Sequence, residues 1–487
     1  MNNKDTFYVT SPIFYPNAKP HMGHAYATLL CDVLTRFHRL VGMESYFLTG
    51  TDEHTEKIVK AAEAQSKKPG EYLEEMVTSF KSLYAKLNIS YDQFIRTSDK
   101  DVHWPGAIEM WKRLAKSDDL YKSSYTGLYC IGCETFITEK ELVDGLCPDH
   151  NMAPEEVTEE NYFFRLSKYA NQLKELISKD ELKIIPKSRK NEILSLIKSG
   201  LHDVSFSRPK EKMTWGIPVP SDESQTMYIW VDALTNYVTG LGFGRGEEKM
   251  YFWPGVHVIG KDILRFHTAF WPAMLISAGL ELPKTVFVHG MITSGGKKMS
   301  KTLGNIIDPQ ELINVYGADA VRYYLLRHVS STEDGDITKE LFREAYNANL
   351  ANGLGNLVAR VMKLAETYLS KPVTVQHSVL NKELESYLDK FEIQKAANHI
   401  WEKIGKLDAE IQETKPWESK DEKVIGDLVI KLAHIGHSLS SFMPDTSEKI
   451  LTAIKENKMP EALFPRLLAP ERSDGGQARK DGSTSSP

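Results

Sequence analysis

The sequence predicts an α/β fold, a doubly wound parallel sheet split by an insert and followed by an α-helical bundle, and three patterns carry that expectation. Strand-like and helix-like runs alternate from residue 7 to about 115 and resume at 227, the texture that puts helices on both faces of a parallel sheet. Between those stretches lie short β-like runs around a cluster of three cysteines and a histidine. Beyond about residue 340 the β-like runs give way to apolar residues at helical spacing.

Taken in order, a first strand is read at residues 7–10, a helix at 25–40, a second strand at 44–48 and a second helix at 56–65. Further strands are read at 227–230, 256–259 and 285–288, and helices at 341–369, 391–413 and 423–441. The expected units are 1–115 and 226–290 as the two halves of a Rossmann-like domain, 116–225 as a connective insert, and 291–340 as a linking region. A helical unit follows at 341–465, and 466–487 reads as a disordered tail because it has too little apolar surface to order itself.

With 487 residues and 41% hydrophobic content, the chain exceeds one compact core and should divide into about three or four units. A net charge of −6 excludes a globally basic binder, so any nucleic-acid surface must be a local patch. No apolar run is long enough to span a bilayer and no targeting segment is read at the start, so the expectation is a cytoplasmic protein without a membrane anchor. No appended dimerisation unit is read after the helical stretch, which gives the expectation of a monomer.

Four cysteines are too few to staple such a chain. Cys130 and Cys133, then thirteen residues, then Cys147 and His150 form two knuckles suited to tetrahedral zinc with no position left for water, hence a structural site. Cys31 stands alone on the first helix and reads as a small buried hydrophobe.

Two short segments point to phosphate. Residues 11–24 form a loop closing on a helix start at His21-Met22-Gly23-His24. Unpaired N–H groups favour phosphate there, Gly23 allows close approach, and two imidazoles three residues apart can both donate. Alone, the pair could be two surface histidines. Far downstream, Lys298 and Lys301 flank Met299 and Ser300 beyond Gly295 and Gly296, and their cationic heads could stabilise charge developing on a leaving pyrophosphate. Alone, they could be a solvated lysine run. Both motifs, in order and each beside a strand, argue for a shared site.

These two motifs resemble the paired ATP signature of class I aminoacyl-tRNA synthetases. With Thr49-Gly50-Thr51-Asp52-Glu53-His54, Trp230-Val231-Asp232-Ala233 and His257-Val258-Ile259-Gly260-Lys261-Asp262, the chain resembles the methionyl-tRNA synthetase family over residues 7 to about 465. The resemblance implies ATP and L-methionine as substrates, Mg²⁺ beside ATP, one structural Zn²⁺, and tRNA(Met) as the acceptor. It implies that Asp52 and the carbonyl of Ile13 hold the substrate ammonium, and that Tyr15, Trp230, Leu234, Tyr237, Ile263 and His267 surround the thioether. Gly260 and Asp262 would contact the ribose, with His21, Gly23, His24, Lys298 and Lys301 at the phosphates. The region 291–340 would meet the tRNA stem, and Asn356, Arg360 and Trp417 in 341–465 would read the anticodon by hydrogen bonding and stacking. Thr302 stands where serine is common, and Leu234 where some members have proline. A ligase for another apolar amino acid and a non-catalytic tRNA-binding descendant are the rival readings.

Overall fold

The computed structural model describes residues 5–130, 135–137, 139, 142–148, 151–228, 230–299, 304–375 and 382–467. Its centre is a six-stranded sheet in the order Gln93–Arg96, Glu44–Thr51, Thr6–Phe14, Val256–Gly260, Thr285–His289, Lys183–Ile185, and every pairing in it is parallel. The strands Val256–Gly260 and Thr285–His289 are buried along their whole length, which is why their sequences run apolar without alternation. Thr6–Phe14 has the second strand on one side and Val256–Gly260 on the other, so the strand order reverses there and a crevice opens at the carboxyl ends.

Two expectations are corrected. The range 116–225 is not one separate insert, because Lys183–Ile185 forms the outer strand of the central sheet and Leu173, Ile177, Ile184, Ile193 and Ile197 join its core. A three-residue strand is too short to leave a periodic trace. Besides the helices Ala170–Ser178 and Lys187–Ser199 on either side of that strand, the range contributes antiparallel sheets, one of Leu120–Cys130, Thr135–Ile137, Glu155–Phe164 and Val204–Ser205, the other of Ser207–Pro209, Pro218–Val219 and Asp222–Met227. The run at 227–230 is likewise no strand of the central sheet: Asp222–Met227 ends there and a helix, Trp230–Thr239, begins. A short apolar run carries no signal of which side of such a boundary it lies on.

The helical part contains Asn356–Tyr368, Ile393–Thr414 and Glu422–Leu439, which lie close to the ranges expected from periodicity, and a further helix, Pro444–Glu456, for which no range was expected. Its apolar faces share one continuous core with a face of the central sheet, in which Val9, Leu30 and Phe287 belong with Val358, Ile400 and Leu428. The expected tail lies outside the described residues beyond Leu467. No described helix is long and apolar enough to cross a membrane.

The junction between sheet and bundle holds a fully buried ion pair, Asp32 on the helix Met22–Leu40 with Arg322 on Ala318–Arg327, at 2.7 Å. Arg322 also donates to the carbonyls of Phe442 (2.8 Å), Leu87 (3.0 Å) and Ser441 (3.1 Å). Asp32 accepts from the Ser90 N–H at 2.7 Å and from Arg36 at 2.9 Å. Burial alone would push its carboxyl up, but the two guanidinium groups together with the Ser90 hydrogen bonds outweigh burial and hold it below the usual range.

Arg322→Met would leave the buried Asp32 with Arg36 as its one remaining cationic partner and the carbonyls of Phe442, Leu87 and Ser441 without their donor, and urea titration at pH 7 should show a loss of about 3–5 kcal/mol. The Asp32 contribution is complete above its unfolded pKa of about 3.9 and fades as pH falls through the lower folded value, so the gap between wild type and Asp32→Asn should shrink only below that point.

Candidate active site

The crevice at the carboxyl edge encloses about 430 Å³ and is lined by Ile13, Tyr15, His21, Gly23 and His24 on one side and by Gly260, Asp262, Ile263 and Lys298 on the other. The two predicted phosphate motifs therefore face one cavity.

The geometry of the first motif follows from how its helix begins. His21 is the N-cap of Met22–Leu40, and its Nδ1 accepts from the Gly23 N–H at 3.0 Å. In return the His21 N–H donates to Nδ1 of His24 at 3.0 Å, a reciprocal box built from imidazoles in place of the usual hydroxyl and carboxylate. With each Nδ1 accepting, each neutral ring carries its proton on Nε2 and keeps that donor for a ligand. The rings stack at 3.8 Å, and His24 rests against the edges of Phe14 and Phe80. A Cβ on Gly23 would come within 2.9 Å of His21 Cε1, so glycine is required for the ring to fold back over the helix start. Burial, and then the neighbouring His21, push the His24 pKa well below the ordinary imidazole value. His21 keeps solvent on one side, and the protein around it lowers its pKa as well. The pair offers neutral donors rather than cations.

Lys298 projects from a small hairpin, Ile292–Ser294 paired with Lys297–Lys298 across a turn in which Gly295 and Gly296 both take positive φ. The hairpin base is fixed because Ile292–Ser294 also pairs with Gly335–Asp336, whose Asp336 carboxylate accepts the Gly296 N–H at 3.0 Å. Lys298 is exposed. Lys301 lies outside the described residues. On the opposite wall Gly260 ends its strand, and Asp262 folds back so closely that a Cβ on Gly260 would meet its Oδ1 at 2.5 Å.

His289 was missed by the sequence reading. It ends the strand beside Gly260, lines the cavity, and donates from Nδ1 to the Gly290 carbonyl at 2.8 Å, which leaves an acceptor lone pair on Nε2. The only trace in the sequence is a histidine before a glycine at the carboxyl end of an apolar run.

Behind the cavity the other predicted residues converge. Leu234 and Tyr237, both 2% exposed, share a core cluster against which Ile13, Trp230 and Ile263 pack. His267 donates from Nδ1 to the Ile263 carbonyl at 3.0 Å, so its Nε2 accepts the Tyr237 hydroxyl at 2.7 Å. Burial lowers the His267 pKa to about 4. Trp230 stacks flat on Phe266 at 3.4 Å, a partner the sequence did not single out. Asp52 is 3% exposed at the end of the second strand, its N–H donating to the Phe14 carbonyl at 2.9 Å. Tyr15 carries the Lys57 ammonium 4.4 Å above its ring. Asp52, Trp230, Leu234, Tyr237 and His267 lie outside the cavity lining itself, so the cavity and the apolar cluster adjoin through Ile13 and Ile263.

Of the cysteine cluster, Cys130 and Cys147 are 2% and 1% exposed and meet in one small apolar cluster with Ile137. Cys133 and His150 lie outside the described residues, and among the described residues no three metal-ligating groups converge. In the helical part Asn356 is exposed at the start of its helix, and Arg360, one turn on, pairs with Asp408 at 2.6 Å. Arg360 and Trp417, the latter 40% exposed, border the same hollow, which Asn356 does not reach.

A reversed parallel sheet with a histidine signature at its switch point is the framework of a class I tRNA synthetase, and the family model described as tRNA synthetases class I (M) matches residues 7–156 and 150–362. A methionine–tRNA ligase of Clostridium tetani is 44% identical over 473 residues, covering 92% of this chain and 73% of that protein. One from Thermotoga maritima is 38% identical, covering 93% of this chain and 76% of that protein. The solved structure of Mycobacterium tuberculosis methionyl-tRNA synthetase in complex with methionyl-adenylate superposes with a TM-score of 0.86 at 36% identity, covering 92% of this chain and 93% of that one. The chain belongs to the methionine–tRNA ligase family of class I synthetases.

Ring-nitrogen NMR checks the electrostatics. His24 should stay neutral from pH 8 down past the ordinary imidazole range of about 6.5, while His267 should gain its proton only near pH 4. Titration of His24 near 6.5 would mean its ring is solvated.

Proposed function

We propose that this chain joins methionine to tRNA(Met) at the cost of ATP, and the observation that carries the reading is that His21, His24 and Lys298 line one cavity that adjoins an apolar, aromatic cluster. The methionine carboxylate attacks the ATP α-phosphorus, the new P–O bond forms as the bond to pyrophosphate breaks, and methionyl adenylate results. A hydroxyl of the tRNA's terminal adenosine then attacks the acyl carbon, and AMP leaves. No side chain of the protein becomes covalently attached, so catalysis is positioning and electrostatics.

In this reading the Nε2–H donors of His21 and His24 bind phosphate oxygens, and Gly23 lets the nucleotide come close to the backbone. Lys298 and Lys301 stabilise the charge that grows on pyrophosphate. Gly260 and Asp262 hold the ribose. Asp52 and the Ile13 carbonyl take the ammonium, while Tyr15, Trp230, Leu234, Tyr237, Ile263 and His267 enclose the thioether, for which aromatic edges and an apolar wall are apt partners. Mg²⁺ would travel with the ATP phosphates.

The convergence of Cys130 and Cys147 supports a Cys₃His zinc knuckle completed by Cys133 and His150. Such a zinc would hold the tip of the antiparallel sheet together and take no part in the reaction. The bundle 341–465 would receive the anticodon at Asn356, Arg360 and Trp417, with 291–340 against the stem. A monomer working in the cytoplasm completes the reading.

Methionine-dependent pyrophosphate exchange should proceed with the purified protein, and leucine should be a poor substitute. Greater turnover with leucine, or none with either, would defeat the assignment. His24→Ala and Lys298→Ala should each lower kcat about 10²–10³-fold, as loss of a single transition-state donor does. Metal analysis should give one zinc per chain, lost in Cys147→Ser with little change in exchange kinetics.

A further inference from the structure

Among the buried charges that the proposed chemistry leaves without a task, Asp232 stands close in sequence to residues assigned to methionine. Asp232 is fully buried in the first turn of the helix Trp230–Thr239. Its Oδ2 lies 2.6 Å from Nδ1 of His54 and its Oδ1 2.7 Å from Nε2 of His103. An ionised carboxylate only accepts, so both imidazoles donate to it. His103 turns its other nitrogen to the Thr239 hydroxyl, at 2.8 Å, near the far end of the same helix. His54 and His103 are 2% and 0% exposed. Burial would push the Asp232 carboxyl up, yet the two imidazoles outweigh it and bring its pKa down to about 2.

The two histidines stand on elements held by further contacts. His103 is the N-cap residue of the helix Trp104–Lys116. His54 sits in the buried stretch 51–55, where Glu53 is gripped by Arg96 at 2.8 Å and by the Thr51 hydroxyl at 2.6 Å, and where Trp215 donates to the Glu53 carbonyl at 2.8 Å. Asp52 lies two residues before His54, while Trp230 and Leu234 lie two residues either side of Asp232. One carboxylate thus bridges the segment bearing the ammonium contact and the helix bearing the apolar wall. Packed apolar side chains would serve a core as well or better than a buried ionic cluster, so its presence here argues for placement rather than stability.

We propose that Asp232, acting through His54 and His103, is a positioning residue that sets the distance between the ammonium anchor at Asp52 and the wall formed by Trp230, Leu234 and Tyr237, and so the side-chain length the pocket accepts. The inference rests on the assignment of those residues to the amino-acid pocket.

Steady-state pyrophosphate exchange with methionine and with its S-ethyl homologue, one methylene longer, tests it. Asp232→Asn should raise KM for methionine about tenfold and cut the preference for methionine several-fold, with KM for ATP held within about twofold. His54→Leu should do the same. His54→Asn, whose amide N–H can stand in for Nδ1–H, should recover most of the wild-type preference. Melting curves set a temperature at which each variant is folded, and if Asp232→Asn does not fold, the two His54 variants decide. A fall in kcat with KM and preference unchanged, or a parallel rise in KM for ATP, would show that the carboxylate serves the fold alone and overturn the inference. Absence of methionine-dependent exchange in the wild type would instead overturn the functional reading.

Discussion

Parallel strands cannot be joined by a tight turn, so the pairing of Thr6–Phe14 with Val256–Gly260 has to be reached by a long crossover. Here that crossover carries the second and third strands, both antiparallel sheets and the outer strand of the same central sheet. The two facing walls of the cavity are placed by this single pairing. It puts the loop that ends in His21 and His24 opposite Gly260 and Asp262, and it leaves the crevice where the strand order reverses. The shared core then fixes the bundle on the sheet, with the buried Asp32–Arg322 pair bridging the helix of the first motif and the helices that follow the second.

The interior is arranged so that histidines near the cavity are neutral and directional. His24, His257, His267 and His289 all have their pKa lowered by burial. In each the hydrogen bond at one ring nitrogen decides what the other can do. His257 receives the Trp271 N–H at Nε2, so its Nδ1–H donates to the Thr10 hydroxyl, and His267 is set the same way by the Ile263 carbonyl. Full charges are kept for places where a partner is supplied, as at Asp32 and Asp232, or for the solvent-exposed rim, as at Lys298.

Much of this was legible in the sequence because it depends on local pattern. Alternation of apolar runs located four of the six central strands, helical spacing located the bundle, and the two motifs located the cavity walls before any fold was known. What escaped had no local signature. Lys183–Ile185 is a strand only because Thr285–His289 offers it an edge. Trp230 opens a helix although its neighbours read as a strand. Phe266 and His289 matter through what they face across the fold, and the role of Asp232 lies in partners far away along the chain, which no spacing rule records.

The order of the strands also bears on how the molecule is made. Thr6–Phe14 leaves the ribosome shortly before its neighbour Glu44–Thr51, but its other backbone edge stays open until residues 256–260 have been synthesised. For that interval the nascent chain carries a long, apolar, unpaired edge, the kind of surface that recruits a second copy if nothing covers it. The intervening antiparallel sheets, whose contacts are more local, can close in the meantime, so slow translation through 116–225 costs exposure at the centre while the periphery is already complete.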